Sequence, residues 1–208
     1  MHDIKAAIRV GLSVGLPLAA VYLAGRLDLA VFGAFGGLTS LYGHSESALQ
    51  RIETQIMAAL ALIVTIAAAA AFAAYAPDHG GAPWLLAMLL AAAVLGPGSL
   101  GAVLGWVPRG EIFFVLTLMV IAGLPMDWAK VPLAIAVGAA SAALSVILAI
   151  LFGGGARNAR AALSQIRMRT RAGAIALDVS RHKIAIVVSA AAVLAGWLIA
   201  DMTGIGHP

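Results

Sequence analysis

Seven apolar blocks, each closed by charge or by a Pro/Gly turn, divide this chain. A helix of about 20 residues crosses a hydrocarbon core of about 30 Å. The first block, residues 6–25, ends at Arg26-Leu27-Asp28, and residues 29–43 form a short, Gly-rich second block. The third covers about residues 56–76 and closes at Pro77-Asp78-His79-Gly80-Gly81; Ser47 followed three residues later by Gln50 fits a capping box, so its helix is expected to start earlier. The fourth, residues 83–107, holds Gly96-Pro97-Gly98 at its middle, where a kink or break is expected because Pro removes a backbone donor. Residues 112–125 make a short fifth block, residues 131–152 the sixth, and residues 184 to about 202 the seventh.

Such a pattern needs lipid. Of the 208 residues 62% are hydrophobic and only 11% charged, whereas a soluble domain carries about 25% charge. Soluble enzymes, disulfide-stapled secreted domains and disordered chains fit poorly. The absence of Cys removes thiolate nucleophiles and Cys-based metal sites. The opening block has Lys5 and Arg9 before its apolar run but no polar cleavage region, which marks a retained span.

Basic residues then orient the chain. With the N-terminus in the cytoplasm and six spans before residue 153, eleven of the 13 Lys and Arg residues fall inside, and only Arg26 and Lys130 outside. The expected architecture is all-α: a polytopic helical membrane protein with a six-span domain at 1–152, a basic cytoplasmic segment at 153–183, and a seventh span at 184–208 that starts a second repeat. Within the basic segment, Ala159, Leu163, Ile166 and Met168 interleave with Arg157, Arg160, Arg167, Arg169 and Arg171. The pattern suits either a helix lying on anionic lipid or a charged loop that fixes orientation. It lacks the interleaved aromatics of a nucleic-acid surface. The first and seventh spans echo each other at Lys5 and Lys183, Ile8 and Ile186, and Leu16 and Leu194.

The second block points to a pathway. Phe32-Gly33-Ala34-Phe35-Gly36-Gly37-Leu38-Thr39-Ser40-Leu41-Tyr42-Gly43 is short and Gly-rich, and the fifth block is short too. If spans one to three and four to six are repeats, the short member is second in each, a pattern that marks transport sites. Tilted spans whose glycines permit close packing are the alternative. Arg51, Thr54 and Gln55 share a helix face with Ser47 at the head of the third span. Arg51 is suited to a forked contact with a substrate carboxylate, with Thr39, Ser40 or Tyr42 adding hydrogen bonds; snorkelling to headgroups is the plainer role. Glu53 and Glu111 complement helix dipoles or, if they face the interior, exchange protons with a bound anion.

This arrangement resembles the fusaric acid resistance family of inner-membrane proteins, which includes the aromatic acid exporters. The resemblance lies in the basic-led first span from Lys5 to Leu27, the short second block, Arg51 at the head of the third span, and the basic region at 153–183. Where the family often has Arg-x-x-Gly-Thr, this chain reads Arg51-Ile52-Glu53-Thr54-Gln55. The resemblance implies efflux of small aromatic or other organic anions and coupling to the proton gradient. It also implies a second half continuing beyond Gly206-His207-Pro208, so that the chain is a truncated half. Expected partners are the bilayer and a small organic anion; self-association or further transporter subunits are compatible with the small-residue faces, and nucleic acid is not expected. No enzyme activity, metal or cofactor is expected. A non-transporting scaffold and an inactive fragment are the rival readings.

Three motifs are set aside. Gly96-Pro97-Gly98-Ser99-Leu100-Gly101 matches a dinucleotide fingerprint in letters but has no strand before it. His2, His44, His79, His182 and His207 show no ligand spacing. Ser45 in Gly43-His44-Ser45-Glu46-Ser47 lacks the second Gly of a nucleophile turn. The spaced pairs Gly11 and Gly15, Gly33 and Gly37, and Gly101 and Gly105 are packing patterns.

Overall fold

A computed structural model describes residues 2–43, 46–98, 100, 101, 106, 111–152, 156–171, 187 and 191. Among them lie seven α-helices and no strand: α1 (His2–Leu23), α2 (Ala30–Gly37), α3 (Ala48–Tyr75), α4 (Pro83–Ala93), α5 (Ile112–Ala122), α6 (Val131–Phe152) and α7 (Ala156–Arg171). Each apolar block before residue 153 is helical over most of its described residues. Two helical stretches, Ala48–His79 and Trp128–Phe152, are long and apolar enough to cross a membrane. His44, Ser45, Arg109 and nearly all of the seventh block lie outside the described residues.

Local sequence sets several boundaries. Ser47 caps α3, its hydroxyl oxygen lying 3.5 Å from the Gln50 N–H while the hydroxyl donates to Gln50 Oε1 at 2.8 Å. That cap starts the helix eight residues ahead of the apolar run. Pro83 occupies the first turn of α4, where its missing N–H costs nothing. Regular helix then ends at Ala93, and Val94–Gly98 continues as a π-helical turn containing Pro97. The expected break is therefore a change of helical pitch. In the turn after α1, Arg26 donates from Nε and Nη2 to the two Asp28 carboxylate oxygens at 3.0 Å each. The hydrogen bonds and opposite charge raise the Arg26 pKa and lower that of Asp28, although both groups are solvent-exposed and the pair adds little stability.

The bundle is organised around α3, which packs against α6, α5, α2 and α7, while α2 lies between α1 and α6. Leu29, Phe32 and Phe35 meet Ile66, Ala69 and Ala70 of α3, Leu118 and Ile121 of α5, and Ala134 of α6. Small residues and hydrogen bonds let helices approach closely and hold together. Both are present between α2 and α6. A Cβ on Gly36 would overlap the Gly138 carbonyl oxygen. Ser141 Oγ donates to the Gly33 carbonyl at 2.6 Å, and Ser145 Oγ to that of Gly37 at 3.3 Å. Gly33 and Gly37 thus form the packing face expected of them, whereas Gly11 and Gly15 are exposed with nothing near them.

The basic segment contributes α7, which docks on α3 and α6. Ala162 is fully buried against Ile52 and Ala149. The apolar side expected from Ala159, Leu163, Ile166 and Met168 is only partly realised: Ile166 is half-buried and Leu163 exposed, and the side chains of Ala159 and Met168 lie outside those described. Ala162 is the residue on the face turned to α3 and α6, and Leu163, the next position round the helix, points away from it.

Candidate functional site

The candidate site forms where the short helix α2 ends. Its last turn tightens into a 3₁₀ helix, Leu38–Leu41, after which Tyr42 is extended and Gly43 takes φ +69°. A side chain at Gly43 would be strained by that dihedral, and its Cβ would stand 2.9 Å from Glu46 Oε2 and 3.1 Å from Arg51 Cα. The reversal therefore brings residues 39–43 directly against the first turns of α3.

Four hydrogen bonds hold this junction. Gln55 Nε2 donates to the carbonyls of Ser40 at 3.2 Å and Tyr42 at 3.1 Å. Thr54 Oγ1 donates to Glu46 Oε2 at 2.8 Å. Ser40 Oγ donates to the Gly37 carbonyl at 2.8 Å. Tyr42 is fully buried in an aromatic cluster, edge-on to Trp106 at 5.6 Å and Phe113 at 6.1 Å and stacked with Phe114 at 6.0 Å.

Around this junction, polar atoms are buried without a hydrogen-bond partner among the described residues. They are Gln55 Oε1, Thr39 Oγ1, the Tyr42 hydroxyl and Arg51 Nε, and, on α1, Arg9 Nε and Nη2. Buried polar atoms are nearly always paired, so such a group at one end of a bundle is unusual. Arg9 is only 2% exposed. Its own carbonyl accepts from Ser13 Oγ at 2.8 Å, and the Ser13 carbonyl lies 2.7 Å from where a Gly37 Cβ would be. This stretch of α1 is thereby in contact with the end of α2. Among the described residues, the like charge of Arg51 bears on Arg9, and the opposite charge of Glu46 bears on Arg51.

Of the residues expected from sequence, Thr39, Ser40, Tyr42, Arg51, Thr54 and Gln55 come together here. Two of them have their hydroxyl protons committed: Ser40 to Gly37 and Thr54 to Glu46. Glu53 is buried on α3. Glu111 is half-buried ahead of α5, where its carbonyl accepts from the N–H groups of Phe114 and Val115 at 3.0 Å. Sequence reasoning missed Arg9, Glu46 and Trp106. Arg9 did leave a signal, since it is a cation inside the first apolar block, but it was absorbed into the orientation count.

Further along α3, a mainly apolar cleft of about 590 Å³ opens among α3, α4, the π-helical turn, α5 and α7. Met57, Ala61, Ala93 and Leu100 line it and also belong to the cluster around Tyr42 and Trp106. Thr65, the hydroxyl residue on its described wall, donates to the Ala61 carbonyl at 2.9 Å. Among the described residues no three His, Asp or Glu side chains gather as metal ligands would. Compared with protein-family models, curated proteins and solved structures, the chain matches none.

Proposed function

We propose that this protein is an inner-membrane transporter that exports small aromatic or other organic anions. It crosses the bilayer six times with its N-terminus in the cytoplasm, and its seventh span opens a second repeat. The reading follows the resemblance to the fusaric acid resistance family. Exposed apolar side chains away from the cleft support a lipid setting: Ile147 is 50% and Leu151 67% exposed on α6, a degree of apolar exposure that would be a liability in water.

The observation that carries the transport reading is Arg51. Its buried Nε has no acceptor among the described residues, and the same helix walls an apolar cleft within two turns. A carboxylate satisfies the first feature, and an aromatic or aliphatic body the second. An organic anion combines both in one molecule. Proton coupling then falls to Glu53 or Glu111, the carboxylates expected for that role. The test is accumulation of a panel of aromatic acids in cells with and without the protein. Lower accumulation of at least one acid is expected in the cells that carry it; equal accumulation across the panel contradicts the reading.

The docking of α7 favours a second reading, a membrane scaffold that recruits lipid or a partner through its basic helix. Under it, neutralising Arg167, Arg169 and Arg171 abolishes function while substitutions at Arg51 and Gln55 are tolerated. Export predicts the opposite order of sensitivity.

A further inference from the structure

We infer that the organic anion held at Arg51 is a long-chain one, a fatty-acid-like carboxylate whose alkyl tail lies in the apolar cleft along α3. The inference rests on the role given above to Arg51 and narrows its ligand from organic anions at large to single-chain amphiphiles.

Separation along α3 carries it. Met57, the first residue of α3 to line the cleft, follows Arg51 by six positions, a rise of about 9 Å. The Arg51 side chain leans toward the turn at the head of the helix, its Cγ standing 3.3 Å from where a Gly43 Cβ would be. A benzoate-sized acid held at this guanidinium therefore ends short of the cleft. One acyl chain spans half of a 30 Å hydrocarbon core, about 15 Å. The rise from Arg51 to Ala61, a lining residue ten positions on, is also about 15 Å. Beyond Ala61 the lining continues to Ala68, which leaves room for longer tails.

The chemistry of the lining fits a tail. Among the described lining residues none is charged, and Thr65, the hydroxyl residue, donates to the Ala61 carbonyl at 2.9 Å. A ligand with a second polar group would bury it there without a partner. The volume of about 590 Å³ is that of a drug-sized ligand and exceeds what one aromatic ring fills. The rim is open, since Leu60 and Val64 line the cleft and are 61% and 68% exposed, so a tail enters from the side. Tyr42 joins the two regions: its carbonyl accepts from Gln55 at the junction, and its ring belongs to the cluster on which Met57 and Ala61 pack.

The test uses the full chain in phosphatidylcholine nanodiscs and a palmitate carrying a diazirine at its methyl end. Photolysis should label the cleft around Leu60, Ala61 and Leu89, and excess palmitate should abolish the labelling. Benzoate, which lacks the tail, and hexadecanol, which lacks the charge, should compete at least tenfold less well, with decanoate between benzoate and palmitate. Ala61→Leu narrows the cleft and should remove the advantage of palmitate over benzoate. Arg51→Gln should weaken competition by palmitate at least tenfold and leave that by hexadecanol unchanged.

If Ala61→Leu does not fold, the chain-length series on the wild type decides the matter. Labelling that excess palmitate leaves in place overturns the inference, as does benzoate that competes as well as palmitate. Displacement of the probe by added phosphatidylglycerol as effectively as by palmitate overturns it too, because the cleft would then hold any lipid tail. Export is measured separately. Export of aromatic acids without palmitate binding removes this inference alone, whereas palmitate binding in a protein that exports no acid removes the transport reading and leaves the site standing.

Discussion

Gln55 ties the end of the second apolar block to the third helix, its Nε2 donating to the Ser40 carbonyl at 3.2 Å and the Tyr42 carbonyl at 3.1 Å. Among the described residues neither carbonyl accepts a backbone hydrogen bond, because α2 has ended and Gly43 reverses the chain. Gln55→Leu leaves both buried without this donor and should destabilise the protein by about 1–2 kcal/mol. Thermal unfolding in detergent measures this. The same variant should lose export, since Tyr42 and Thr39 are no longer held at the head of α3.

A Cβ at Gly36 meets the Gly138 carbonyl oxygen, a backbone atom that cannot rotate away. Gly36→Ala should therefore separate α2 from α6, weaken the Ser141 bond to the Gly33 carbonyl, and cost about 1–3 kcal/mol. Gly15→Ala on the exposed face of α1 is the control: it meets nothing and gains helix propensity, so it should not lower the unfolding midpoint.

The cap on α3 has a separate signature. Ser47→Ala removes the side-chain acceptor for the Gln50 N–H and should lower stability by about 1 kcal/mol. Ser47→Asp, which restores an acceptor and adds negative charge at the helix start, should recover it. Unfolding midpoints of the two variants check the pair.

Glu46 offsets part of the positive charge of Arg51. Glu46→Gln should therefore tighten anion binding several-fold while Thr54 keeps an oxygen acceptor. Titration with benzoate, followed through the fluorescence of the protein's tryptophans, reads this directly. Weaker binding in Glu46→Gln would mean that Glu46 helps to hold the ligand.

What the sequence made legible was mostly local. The Ser47 cap and the break at Pro97 depend on a few adjacent residues, and both lie where spacing puts them. The glycine pairs show where that stops: Gly11 and Gly15 have the same spacing as Gly33 and Gly37, yet only the second pair meets another helix. Spacing identifies a smooth face, not what covers it. The candidate site divides the same way. Arg51, Thr54 and Gln55 are neighbours on one helix, so their shared position could be read directly. Arg9 is forty-two positions away, and its burial comes from the packing of α1 against the end of α2. Glu46 meets Thr54 after a chain reversal with positive φ at Gly43, a backbone feature that composition does not reveal. Ala162 was hidden because a hydropathy pattern gives weight to Leu163, whereas the face that meets α3 and α6 is set by tertiary packing.

Arg51→Gln is the most direct test of the central claim. It keeps much of the side chain's bulk while removing the charge and the fork that an organic anion would engage. Efflux of aromatic acids should be measured in cells expressing the wild type and the variant at equal membrane levels. Loss of export at undiminished membrane abundance is the predicted result. Normal export from Arg51→Gln would contradict the account and remove this arginine from the transport path.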